Sequence, residues 1–246
     1  MTTVPIKEDP QLISFKTLRK AVGWLGISLP PALLMGNYIF SNCTHIQDAI
    51  SHYYYTITGN LLVGILCSTA LFLIAYKGYP DDKRDNRWTN WAGIAALGIA
   101  FFPTNNNSKD SCAIFNLLDN HLRNTIHYVS ATVFFILLAC ISIFLFTKSK
   151  GCKTKQKIIR NKIYRTCGIV IFISILLIGV NEFFEREGSS LSKIKPKFWL
   201  ESIAMFAFGT SWLVKGEFIL KDKDSCPDIE VTWKIKSDES VNKAAQ

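Results

Sequence analysis

The stretch Lys148–Arg165, KSKGCKTKQKIIRNKIYR, carries eight Lys or Arg and no Asp or Glu. An apolar run flanks it on each side, Ile126–Thr147 before and Thr166–Phe184 after. A bilayer core about 30 Å thick takes about 20 helical residues to cross. Both runs therefore read as spans, and neither shows the polar stripe that a helix at the surface of a soluble bundle would need. A short loop this basic between two spans marks the cytoplasmic side, because Lys and Arg near a span resist translocation. Placing this loop inside places every other loop as well.

The apolar residues are gathered into blocks, so the mean hydropathy of +0.19 understates how membrane-like each block is. The net charge of +9 sits largely at the N-terminus, in Lys148–Arg165 and in the tail. That placement predicts contact with anionic lipid rather than nucleic acid, and no nucleic-acid motif accompanies it. Met1–Phe15 is polar, and no small-residue cleavage site follows the first apolar run. That run is therefore expected to be a retained span and not a secretory signal.

The expected fold is all-α, a polytopic bundle of six transmembrane helices with both termini cytoplasmic. Residues 1–20 form a cytoplasmic N-terminal segment, 21–216 the six-helix domain, and 217–246 a charged tail that is partly disordered. Span one is Ala21–Phe40, preceded by Lys16, Arg19 and Lys20; Pro30-Pro31 should kink it. Span two is His52–Tyr76, opening on His52-Tyr53-Tyr54-Tyr55 as an outer aromatic belt. Gly64 and Ser68 within it are spaced for close helix approach. Span three is Trp88–Pro103, with Ala92, Ala96 and Ala100 recurring every four residues as a packing face. Spans four and five flank the basic loop, and span six is Phe198–Val214. Glu185–Lys197 runs against the pattern, an outer loop with four basic residues (Arg186, Lys193, Lys195, Lys197).

The seven cysteines make no CxxC or zinc spacing. Cys67, Cys140 and Cys167 lie in spans; Cys152 and Cys226 lie in cytoplasmic stretches. Cys43 and Cys112 are the pair on the outer, oxidising side, which predicts a disulfide between them.

All four His residues, His45, His52, His121 and His127, also fall on the outer side. His52 and His127 mark the outer ends of spans two and four, and Glu201 lies about one turn into span six from that side. An ionisable residue inside a span is a functional-site candidate. Two His and one carboxylate can make an acid/base pair or hold zinc if they converge. Tyr53, Tyr55 and Ser202 are binding candidates beside them, and Asp48 a supporting hydrogen-bond partner. The competing reading is structural: the His residues anchor at the interface, and Glu201 pairs with Lys197 one turn earlier or with a polar group on span one or two. No HExxH, GxSxG or phosphate-cradling glycine loop is present.

The motifs LGISLP, SHYYYT, YKGY, ALGIAFFPT, HYVSA, RNKIY and FWLESIAMFAFGTSWLVKGE together resemble bacterial six-span integral membrane proteins of unknown function. These are loosely similar to the Frag1/DRAM/Sfk1 type. The resemblance implies a helical bundle in the bacterial inner membrane and a role at the level of membrane lipids, with no catalytic motif to transfer. A more distant likeness is to alkaline-ceramidase-like zinc hydrolases, but the paired His of their last span is missing here. Three functions follow in order: an outward-facing polar site that binds lipid or a protein partner without catalysis; a metal-dependent hydrolase or lipid-modifying enzyme built on His52, His127 and Glu201; and a small-solute transporter. The absence of repeated halves weighs against transport.

Overall fold

The computed structural model describes residues 10–41, 43–78, 83–106, 112–148, 154–184 and 194–221. Cys152, Cys226, most of the 217–246 tail and most of the Glu185–Lys197 loop lie outside these residues. The described chain is all-α, without strands. Its helices are α1 (Pro10–Ser41), α2 (Gly59–Ala75), α3 (Lys83–Phe101), α4 (His121–Cys140), α5 (Lys155–Phe184) and α6 (Pro196–Lys215). A 3-10 turn, Ile50–Tyr55, precedes α2, and a π-helical turn, Ile141–Leu145, continues α4.

Successive helices run antiparallel, each packs on its neighbour in sequence, and α6 returns against α1 to close the ring. One end of the bundle gathers the N-terminus of α1, Lys148, and the C-terminus of α6. The other holds the 3-10 turn and the loops bearing Cys43 and Cys112. These two cysteines are joined in a disulfide, with α-carbons 5.7 Å apart, within the distance a bridge requires. The bridge ties the chain after α1 to the loop between α3 and α4, as the sequence predicts. We refer to the two ends as the basic end and the disulfide end.

Glycine sets the closest helix crossing. A β-carbon on Gly209 of α6 would lie 2.5 Å from the Gly23 carbonyl oxygen of α1, so the two backbones meet with no side chain between them. The alanine face of α3 behaves as its spacing predicts: Ala92, Ala96 and Ala100 are all buried. Gly64 does not. A β-carbon there would meet nothing within 4 Å, so the Gly64–Ser68 pair makes no close helix approach at its glycine.

Span two is shorter at its start than the sequence suggested. His52–Tyr55 belong to the 3-10 turn, and the chain is extended at Thr56 before α2 begins. Aromatic and β-branched residues are weak helix formers. Here Thr56 Oγ1 also donates to the Tyr53 carbonyl at 2.8 Å, a bond that competes with helical pairing. Gly59 then starts α2 against the turn, where a β-carbon would lie 2.1 Å from the Tyr54 carbonyl oxygen. The tyrosines are not an interfacial belt as a group, since Tyr53 and Tyr55 are fully buried. In α1, by contrast, the helix is continuous through Pro30 and Pro31.

Two helical stretches, His121–Leu145 and Lys155–Glu182, are long and apolar enough to cross a membrane, and the apolar α2 is shorter, at 17 residues.

The crossing at Gly209 generates a direct test. Gly209→Ala should lower the thermal midpoint in detergent by several degrees, since overpacking against backbone costs about 1–3 kcal/mol. Gly64→Ala should leave the midpoint unchanged or raise it, because alanine is the better helix former by up to about 1 kcal/mol. Equal effects from the two substitutions, read by scanning fluorimetry, would refute the assigned crossing.

Candidate functional site

At the disulfide end, the first turn of α6 and the segment Asp48–Ile50 satisfy one another. The N-terminus of a helix leaves N–H groups without partners. The Phe198 N–H donates to the Asp48 carbonyl at 3.0 Å. In return the Ile50 N–H donates to Glu201 Oε2 at 2.6 Å. Lys195, just before α6, adds an ion pair to Asp48. Ser202 is turned to its own helix, donating to the Phe198 carbonyl at 2.7 Å. Glu201 is therefore bonded to the backbone of the 3-10 turn. Lys197 forms an ion pair with Glu182 of α5, 2.6 Å away, and its charge also acts on Glu201.

His127 is buried in the second turn of α4. Its Nδ1 lies 2.8 Å from the Phe102 carbonyl oxygen at the end of α3. A carbonyl only accepts, so Nδ1 carries the proton and the ring caps the last turn of α3. The ring also hydrogen-bonds to the Ile99 backbone.

Glu201 and His127 both face an apolar chamber between α1, α2, α3, α4 and α6. It holds about 590 Å³ of empty space with its open mouth included, and Leu29, Leu66, Ala131 and Met205 line its walls. Among the described residues, the other groups in its wall able to hydrogen-bond through their side chains are Ser51 and Tyr54 of the 3-10 turn. A second, more polar chamber adjoins it, sharing Ser51, His127, Ala131, Phe135 and Glu201. His52, Glu182 and Lys197 are among the residues that line the second chamber alone. Thus His52, His127 and Glu201 come to one chamber wall, as their positions in the sequence allow.

They do not form a compact ligand set. Among the described residues, the group of His, Cys, Asp or Glu whose ligand atoms all lie within 4.8 Å of one another is Cys43, His45 and Cys112. Zinc at His52, His127 and Glu201 accordingly has no preformed site.

Tyr53 and Tyr55 lie behind the chamber rather than in its wall. The Tyr53 hydroxyl accepts from the Gln47 N–H at 3.4 Å, and the Tyr55 hydroxyl donates to the Thr104 carbonyl. Burial pushes the Tyr55 phenol up, against the opposite pull of Arg123, which keeps it a donor at neutral pH. Sequence reasoning missed Ser51 and Tyr54. The tyrosine triplet marked the segment, but a 3-10 turn presents neighbouring residues in a different order from an α-helix.

Comparison of the chain with protein families, curated proteins and solved structures finds no match.

The reciprocal bonding at α6 predicts an asymmetry between two substitutions. Glu201→Gln retains an oxygen acceptor for the Ile50 N–H and should keep the thermal midpoint close to wild type. Glu201→Leu leaves that N–H without a partner, a cost of about 1–3 kcal/mol, and should lower it clearly. A leucine variant as stable as the glutamine variant would show that the Ile50 bond contributes little.

Proposed function

We propose that this chain is a six-span integral membrane protein of the bacterial inner membrane, with both termini cytoplasmic. Its outward-facing chamber binds a small amphiphile, in the class of membrane lipids, without catalysis. The observation that carries the binding reading is an apolar chamber with a carboxyl group and an imidazole in its wall. Ligand sites combine apolar walls with a few placed polar groups of this kind. The acyl portion would lie along Leu66, Ala131 and Met205, with the polar portion toward Glu201, His127 and Ser51.

The membrane reading is supported by the outer surface of the bundle. Every helix exposes large apolar side chains, among them Met35, Leu71, Trp91, Val133, Phe172 and Ile203. A water-facing surface seldom carries apolar groups so widely, whereas lipid receives them at no cost. The positive-inside pattern supports the orientation. A lipid-modifying enzyme is the second reading, favoured by His52, His127 and Glu201 sharing one chamber wall.

Two measurements test these proposals. In right-side-out cells or oriented vesicles, Cys152 should react with a membrane-impermeant maleimide from the cytoplasmic face alone; labelling from outside would overturn the topology. For the ligand, a photoreactive single-chain amphiphile should crosslink to chamber residues such as Leu66 and Met205, and Ala131→Trp should reduce that labelling to background. Crosslinks confined to exposed positions such as Leu71 and Phe172, or insensitive to Ala131→Trp, would reject the binding site.

A further inference from the structure

The disulfide carries a third group beside it. A ring nitrogen of His45 lies 3.2 Å from Cys112 Sγ, and the ligand atoms of Cys43, His45 and Cys112 all lie within 4.8 Å of one another. The residues Cys43 and Cys112 are 8% and 7% exposed, while His45 is exposed. The imidazole side of the cluster is open to solvent.

Two hydrogen bonds anchor the cluster's loops besides the S–S bond. Just past Cys112, the Ile114 N–H donates to the Tyr55 carbonyl at 2.9 Å. Past His45, the Gln47 N–H donates to the Tyr53 hydroxyl at 3.4 Å. Both ligand-bearing loops are thus pinned to the same buried 3-10 turn. Opening the bridge leaves these anchors in place, so the two thiols and the imidazole stay neighbours.

We propose that reduction of the Cys43–Cys112 bridge turns this cluster into a three-ligand site for zinc(II), with Cys43 Sγ, Cys112 Sγ and the His45 imidazole as ligands. Zinc takes thiolate sulfur at about 2.3 Å and imidazole nitrogen at about 2.0–2.1 Å in a tetrahedron. Both ring nitrogens lie near Cys112 Sγ, Nε2 at 3.2 Å and Nδ1 at 3.5 Å, so the exposed ring turns to aim one of them at the metal. The sulfurs need to part by roughly 2 Å from bonding distance, which loops anchored two residues away permit. The fourth position faces solvent on the His45 side and is open to water or an exchangeable ligand. Metal and disulfide exclude each other, so the site is gated by redox state. An external dithiol, or two molecules of a monothiol, supplies the two electrons and two protons and leaves as its own disulfide; metal binding then releases the two thiol protons to water. This site is separate from the amphiphile chamber, and the proposal stands independently of that reading.

The test uses the full-length chain in detergent, reduced, freed of reductant and titrated with cobalt(II) under anaerobic conditions. The reduced protein should take up one cobalt with a near-ultraviolet thiolate charge-transfer band and the visible bands of a tetrahedral centre, both abolished by added zinc. The oxidised protein should show neither. The double substitution Cys43→Ser, Cys112→Ser should lose the charge-transfer band despite the remaining cysteines. His45→Ala retains the bridge when oxidised and so offers a variant whose folding is secure. It should weaken cobalt binding by at least roughly 10–100-fold, the loss that even an outer-shell partner causes. Absence of the band in reduced wild type, its persistence in the double-serine protein, or wild-type affinity in His45→Ala would each overturn the assignment.

Discussion

The disulfide end depends on one exchange of hydrogen bonds: Phe198 N–H to the Asp48 carbonyl, and Ile50 N–H to Glu201. The first satisfies a donor that helix geometry orphans at the start of α6. The second satisfies a donor in a segment too short to pair with itself. Because both bonds join residues about 150 positions apart in sequence, they fix how the first loop sits on the last helix. The chamber is a result of that docking. Its polar groups stand where they do because the 3-10 turn is held against α6 by a carboxyl group that then also faces the cavity.

The same turn is the common anchor of both sites. On one side it supplies Ser51 and Tyr54 to the chamber wall. On the other, Tyr53 and Tyr55 hold the loops that bring His45 and the two cysteines together. Tyr53 packs on Phe198, and Tyr54 and Tyr55 pack on Phe115.

Several features of this arrangement were legible in the residues alone. The alanine repeat of α3 identified a packing face because helical periodicity converts spacing into side. Cys43 and Cys112 could be paired because loop order placed both at one end. The four His residues gathered at that end by the same reasoning. Other features were not legible. Lys197 is one turn from Glu201, the spacing of a helical ion pair, yet each has a partner on another element. Gly64 has the composition of a close contact and faces open space. Both outcomes have one cause. Local spacing lists the neighbours a residue has on its own helix, and a competing partner from elsewhere in the fold can displace them.

The order of apolar blocks, the charge between them and the small-residue stripes determined by themselves that this chain makes a bundle of antiparallel helices with its polar and reactive groups concentrated at one end. These properties are one-dimensional, set by helix period, solvation and chain connectivity. Only the tertiary structure decided that His52, His127 and Glu201 share a chamber without forming a ligand set, and that His45 completes the cysteine pair. Ligation and hydrogen bonding act over about 2–3 Å. At that scale the approach of two loops is set by the packing of every helix between them.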